Sequence, residues 1–236
     1  MIYRRGTHET RREGPSAVFG TLPEGRDDGC FCAPLGSCRS GRLRLTGVAH
    51  GGVIRADPNV RGLYSASFPP PFPAVTVRGG AVDVRSSRTW TAGRTGVTLN
   101  ATIPWDVEIR GGASRLFADL RDLRLGSFRL EGGARRVELT LPAPRGAVTV
   151  VVLGGASNLA IHRPAGVPAR LCVEGGITHL RFDDRRIGAA GGRVDLQGGG
   201  YGRATDRYDI AVTGGANNLS VDEWQGRTGL GWSTPA

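Results

Sequence analysis

The sequence predicts an all-β fold built as a parallel β-helix, or solenoid, with coils of ~21 residues turned at Gly-Gly corners. The first observation is a recurring glycine pair. It falls at Gly111-Gly112, Gly132-Gly133, Gly154-Gly155, Gly175-Gly176 and Gly214-Gly215, with steps of 21, 22, 21 and 39 residues. The second is the phase around each pair. Four residues before the first Gly stand Val107, Phe128, Val150, Leu171 and Ile210; two before it, Ile109, Leu130, Val152, Val173 and Val212. Five after it stand Leu116, Val137, Leu159, Leu180 and Leu219; seven after it, Ala118, Leu139, Ile161, Phe182 and Val221. The third is that polar residues occupy the position four after the first Gly, as Arg115, Arg136, Asn158, His179 and Asn218. Apolar-polar alternation means strands with one buried face. Each unit reads as strand, Gly-Gly corner, strand, turn.

The corner has a steric rationale. Glycine reaches positive φ without clash and lets neighbouring backbones approach. An antiparallel meander would also alternate with period 2. The retained identity of each phase over five units favours stacked coils instead, with Gly132, Gly154 and Gly175 one above another. A short helix through Leu116, Phe117, Leu120 and Leu123 is disfavoured, because Leu116 and Ala118 match the strand phases of the other units.

Residues 1–41 are charged and rich in Gly and Pro without sustained periodicity, and read as a mobile N-terminal arm. Residues 42–222 read as the solenoid, about seven coils in all. Its first coils are irregular: Leu43 and Leu45, Gly51-Gly52, then Leu63 to Phe68. The prolines between Pro69 and Pro73 impose an extended or turn segment. Val75, Val77, Ala81 and Val84 resume the phase, and Ile103 to Val107 leads into the regular units. Pro142 to Gly146 and Pro164 to Pro168 mark the opposite turns. The period breaks over residues 183–207, which read as a loop or hairpin inserted into the last coil. The tail, 223–236, carries Trp224 and Trp232 and reads as a cap for an open end.

The chain has 236 residues, of which 38 are Gly, and a net charge of +10. All of its basic residues are Arg. Arg pairs bidentately with phosphate and carboxylate, so polyanion binding is one reading; the even spread of arginines favours compositional bias, and no specific nucleic-acid partner is expected. No apolar run of ~18 residues exists, so no transmembrane segment is expected. The polar N-terminus lacks an apolar signal region, and the chain reads as cytoplasmic. Cys30, Cys32 and Cys38 cluster, but C-x-C-x5-C lacks the paired spacing of a zinc site, and His50 is the nearest further ligand. No metal and no cofactor is expected. Gly198 to Gly202 does not run into a helix as a nucleotide-binding loop must.

Asp119 with Asp122 and Asp183 with Asp184 are the carboxylate pairs a glycan-cleaving site would need. All four fall at turns, where Asp serves local hydrogen bonding, so no catalytic residue is assigned.

The run Ile103-Pro-Trp-Asp-Val-Glu-Ile-Arg-Gly-Gly-Ala-Ser114 and the repeated Gly-Gly-Ala corners resemble bacterial toastrack-type β-solenoid domains. These are similar to the C-terminal domain of cell-envelope stress-response proteins. The turns Leu141 to Gly146 and Arg163 to Pro168 carry the same resemblance, which spans roughly residues 42–222. It implies a right-handed β-helix used for interaction or sensing, with no catalytic residues to carry over.

The expected function is a non-catalytic interaction or scaffold module linked to envelope sensing or stress response; a carbohydrate-active β-helix enzyme and a polyanion-binding protein are the alternatives. The candidate contact residues lie on the outward phases. Glu108, Arg129, Glu131 and Arg110 make early coils charged, whereas Val151, Leu153, Cys172 and Ala211 are apolar or small. Stacked strands would join these four into a patch. It is either covered by the N-terminal arm or the 183–207 insertion, or open to a protein partner or a second copy.

Overall fold

The computed structural model describes residues 24–25, 29–47, 49–86 and 95–224. Nine strands precede the regular units: β1 (Glu24–Gly25), β2 (Cys30–Ala33), β3 (Gly41–Thr46), β4 (Ala49–His50), β5 (Gly52–Asp57), β6 (Tyr64–Ser67), β7 (Ala74–Arg78), β8 (Ala81–Arg85) and β9 (Thr95–Asn100). The regular units supply β10 (Pro104–Arg110), β11 (Ala113–Asp119), β12 (Arg124–Glu131), β13 (Ala134–Thr140), β14 (Ala147–Leu153) and β15 (Ala156–Pro164). Then follow β16 (Ala169–Glu174), β17 (Ile177–Phe182), β18 (Arg185–Ala190), β19 (Arg193–Gln197), β20 (Arg207–Thr213) and β21 (Ala216–Trp224).

Among the described residues these strands form a twelve-stranded and a nine-stranded sheet. Each regular unit places its strand before the Gly pair in the nine-stranded sheet and its strand after the pair in the twelve-stranded sheet. The pairing is parallel: β10 on β12, β12 on β14, β11 on β13 and β13 on β15. This excludes the meander. The four apolar phases form the core between the sheets, and none of their twenty residues is more than 2% exposed. Leu116 and Ala118 lie in β11, so that segment is strand.

The glycine pair is required twice over. The first glycines of the five corners have φ between 90° and 103°, the second between 82° and 92°. A Cβ on Gly132 would fall 2.7 Å from the Gly112 nitrogen, and one on Gly112 would fall 2.7 Å from the Gly132 carbonyl oxygen. Each corner is therefore closed to side chains from both neighbouring layers. The carbonyl before the pair takes both donors of the preceding corner in the stack: Gly132 N and Gly133 N donate to Leu153 O at 2.9 and 3.0 Å.

Stack order departs from chain order at both ends. β20 pairs in parallel with β14 on one side and β16 on the other, and β21 likewise lies between β15 and β17. The corner Gly214-Gly215 thus sits between Gly154-Gly155 and Gly175-Gly176. The expected direct step from Gly154 to Gly175 is corrected: the last unit in sequence fills that layer. At the other end β3 lies between β8 and β10, and β5 between β9 and β11.

The physical reason is edge closure. A parallel stack ends in unpaired backbone groups. Here β18 folds back antiparallel on β17 and β19 antiparallel on β16. Residues 183–207 therefore extend the sheet edges rather than bulge from a coil, and the chain then returns to the layer left open. The opposite end is closed by β7 antiparallel on β8 and by β6 antiparallel on β9, with β2 beyond β6. β2 falls within the segment read as an arm and is ordered by that pairing; the rest of the arm up to residue 23 lies outside the described residues, as does Trp232. Trp224 does not cap the stack's end. It donates from Nε1 to Leu141 O at 3.1 Å, with Arg121 5.7 Å over its ring, at the turn of a middle layer.

Candidate interaction face

The outward side chains of the nine-stranded sheet stack in rows because the strands are in register. One row runs Asp83, Arg44, Glu108, Arg129, Val151, Ala211, Cys172 and Asp195. The next runs Arg85, Thr46, Arg110, Glu131, Leu153, Thr213, Glu174 and Arg193. Val151, Leu153, Cys172 and Ala211 are all partly exposed and occupy adjacent strands, while Val150 and Val152 between them are fully buried. The structure brings the four together in an order the sequence did not show, since Ala211 lies between Val151 and Cys172. β19 joins the sheet beside Cys172, with Asp195 as its register partner, and so lengthens the face.

Ion pairs flank this strip. On one side Arg44 reaches Asp83 at 3.1 Å and Glu108 at 2.8 Å, Arg110 reaches Glu108 at 2.6 Å, and Arg129 reaches Glu131 at 2.6 Å. Burial pushes the Glu108 carboxyl up, but Arg44 and Arg110 outweigh it and hold the group below the ordinary range. On the other side Arg170 binds both oxygens of Asp195, at 2.9 and 2.5 Å, and lowers its pKa. Tyr201 donates to Asp209 nearby, and Arg207 stacks 5.2 Å over the Tyr201 ring. Charges on this sheet alternate in sign instead of forming one basic surface.

The outer face of the twelve-stranded sheet is built differently. Arg115, Arg136, Asn158, His179 and Asn218 all have φ between 53° and 56°. Each is an unpaired residue at a bulge, since the register passes from Ser114 opposite Arg135 to Leu116 opposite Val137. Two consecutive side chains then point outward, and the strand returns to its inward phase. The amides of Asn158 and Asn218 join across layers, Nδ2 of Asn218 donating at 2.6 Å. The sequence signal was present but unread: three residues separate the inward Ala113 from the inward Leu116, an odd interval that strict alternation forbids.

The Gly-Gly corners line a groove of about 1070 Å³ along the seam between the sheets, edged by Ser114, Arg135, Ser157, Asn217 and Thr178. Its floor is backbone, and the corner glycines give it no chemistry of their own.

Of the carboxylate pairs, Asp119 is bound by Arg121 at 2.8 and 2.6 Å. Burial pushes Asp119 up and Arg121 more than offsets it, so its pKa is lowered. Asp183 meets Arg163 at 2.5 Å. Sequence reasoning missed Arg163, which is only 2% exposed and also binds Glu223 at 2.6 Å. One guanidinium from β15 thus holds β21 and the end of β17. His162 contacts Asp222 at 2.5 Å, and Arg181 reaches the other oxygen of Asp222 at 2.5 Å. Cys30 and Cys32 are exposed. The Asn100 side chain is 3% exposed and donates to Val60 O and Gly62 O at 2.9 and 2.7 Å, so it is a structural amide.

No protein-family model and no curated protein sequence matches the chain. Its fold is similar to the crystal structure of a candidate cell adhesion protein from Clostridium sporogenes ATCC 15579, with a TM-score of 0.60 and 16% identity. The match covers 84% of this chain and 98% of that one. At that identity the likeness is one of fold. Among the described residues no helix is long and apolar enough to cross a membrane.

Proposed function

We propose that this chain is a non-catalytic β-solenoid interaction module that presents the outer face of its nine-stranded sheet to a protein. The observation that carries the reading is the strip of Val151, Leu153, Ala211 and Cys172 between two sets of ion pairs. An apolar centre with a charged rim is the usual anatomy of a contact surface. The finer reading is a right-handed coil of ~21 residues, of the toastrack type, serving cell-envelope sensing or adhesion. The adhesion assignment of the Clostridium protein with the same fold supports it. Cell fractionation separates the expected cytoplasmic placement from the surface location that an adhesion role would need.

The candidate carboxylates support a non-catalytic role. Asp119 and Asp183 are each engaged by an arginine, and at Asp119 that contact outweighs burial and lowers the pKa, away from the protonated acid that glycoside cleavage needs. Incubated with a panel of acidic and neutral polysaccharides, the protein releases no reducing ends. Release that is abolished by Asp119→Asn or Asp183→Asn would establish the enzyme reading instead.

A further inference from the structure

The two outward rows of the nine-stranded sheet carry a charge pattern that is complementary to itself. Within single strands, positions two residues apart bear opposite signs: Asp83 and Arg85, Glu108 and Arg110, Arg129 and Glu131, Arg193 and Asp195. The strand between them, β14, carries two apolar residues, Val151 and Leu153, and its neighbour β20 carries Ala211 and Thr213. Turn a second copy by a half-rotation about an axis running along the stack, midway between the rows. Every strand then faces its own equivalent with the direction reversed. Arg129 meets Glu131 of the other copy and Glu131 meets Arg129. Glu108 and Arg110 exchange likewise, as do Arg193 and Asp195. Val151 meets Leu153 in the centre.

We infer that the occupant of this face is a second copy of the chain, docked sheet on sheet in that antiparallel orientation. The inference rests on the reading of the face as a contact surface and names the partner. A two-fold contact uses the same patch on both copies, so the patch must complement itself. Here the charged strands β8, β10, β12 and β19 and the apolar strand β14 do so, while Arg44 of β3 meets Thr46 and Cys172 of β16 meets Glu174. Size also agrees. Nine strands at ~4.8 Å spacing and about 20 Å of strand length give a face on the order of 800 Å², the share each partner gives to a standard interface. On β10, β12 and β19 the charges are not left without a partner: Glu108 with Arg110, Arg129 with Glu131 and Arg193 with Asp195 each exchange a neighbour two residues away for the same group on the other copy.

Two single charge reversals test the arrangement. Arg129→Glu leaves two acids in the strand, and Glu131→Arg leaves two bases. Arg129 is exposed, Glu131 is partly exposed and the inward neighbours Phe128 and Leu130 are untouched, so both variants fold, which circular dichroism checks. In sedimentation velocity over a concentration series, the wild type shows a monomer–dimer equilibrium. Each single variant is shifted at least tenfold toward monomer. An equimolar mixture of the two regains the dimer, since acids now face bases, and the double variant Arg129→Glu with Glu131→Arg does the same. Leu153→Arg is monomeric and is not rescued by either variant. A wild type that stays monomeric throughout overturns the inference, as does a dimer that both single variants retain or a mixture that stays monomeric. None of these outcomes bears on catalysis, which the polysaccharide assay reads separately.

Discussion

The middle and the last layers of the stack are made from the same unit but assembled in different ways. From β10 to β15 the chain climbs one layer per unit, and each unit pairs with the one before it. In the last layers β16 and β17 are laid down one place too far, β18 and β19 close the edge, and β20 and β21 fill the layer left behind. The middle needs only corner glycines and inward apolar residues. The end needs, in addition, something that holds a late-arriving layer on both sides. That is the role of Arg163, buried on β15 and bound to carboxylates on β21 and just after β17. The comparison teaches that a repeat uniform in its core can still tie its interleaved layer with a buried charge that the middle layers lack.

The largest expected effect probes whether the interleaved layer is as integral as a middle one. Gly154→Val and Gly214→Val meet the same obstacle, with Cβ 3.0 Å from the Gly133 nitrogen and 2.8 Å from the Gly155 nitrogen, at φ of 100° and 90°. Each should cost about 3–6 kcal/mol from backbone strain plus overpacking, read as chemical denaturation midpoints. A much smaller loss at Gly214 would make the last layer peripheral and break the comparison.

Arg163→Met sharpens it further. Loss of its two charge-assisted hydrogen bonds should cost up to about 1.5–3 kcal/mol for each, less where the carboxylate is partly exposed. Amide exchange should quicken in β17 and β21 and stay unchanged in β11 and β13; a uniform increase would deny Arg163 its local role. The same contact has a pH signature. Arg163 lowers the Glu223 pKa below its unfolded value, with burial opposing. A depressed carboxylate contributes stability that is complete above the unfolded value, ~4.3, and is lost as pH falls through the folded one. Acid should therefore erode the stability of the wild type through that window more than that of Arg163→Met.

A smaller effect belongs to the bulges, which middle and interleaved layers share. Asn158→Val and Asn218→Val place a β-branched residue at φ 55°, costing about 1–3 kcal/mol, whereas Asn158→Gly should change stability by only a few tenths of a kcal/mol. Equal losses for Gly and Val would mean that the amide ladder, not the backbone, sets the preference. The smallest belongs to the surface pairs. Arg129→Ala removes a contact that is 45% exposed on the arginine side and should shift thermal stability by no more than about 1 kcal/mol.

Much of this was legible beforehand because each layer repeats one local rule. The inward phases and corner glycines of the five regular units fall where the period placed them. Val75, Val77, Ala81 and Val84, read in the same phase, instead belong to a β7–β8 hairpin within one sheet, with Val77 and Ala81 only partly buried and Val82 inward. Val151 and Leu153 were phased outward and are partly exposed. The left-handed row was legible in polar identity and in the odd interval between the inward Ala113 and Leu116, but Arg115 and Arg136 are not residue types that announce positive φ. Arg163 looked like one more arginine, because its partners lie 20 and 60 residues away.

By itself, then, the sequence determined the cross-section: two strands per unit, which residues face the core, and a corner that admits no Cβ. These follow from local sterics and from the period of a strand, both written within a single unit. Only the tertiary structure decided the order of the layers, the closing of the edges and the partners of the outward charges. Every unit offers the same hydrogen-bonding edge and the same apolar phase to any other, so local pattern cannot choose a neighbour. What the tertiary structure adds is the edge strands that fold back, the layer they leave open, and a buried guanidinium that ties β21 to the end of β17.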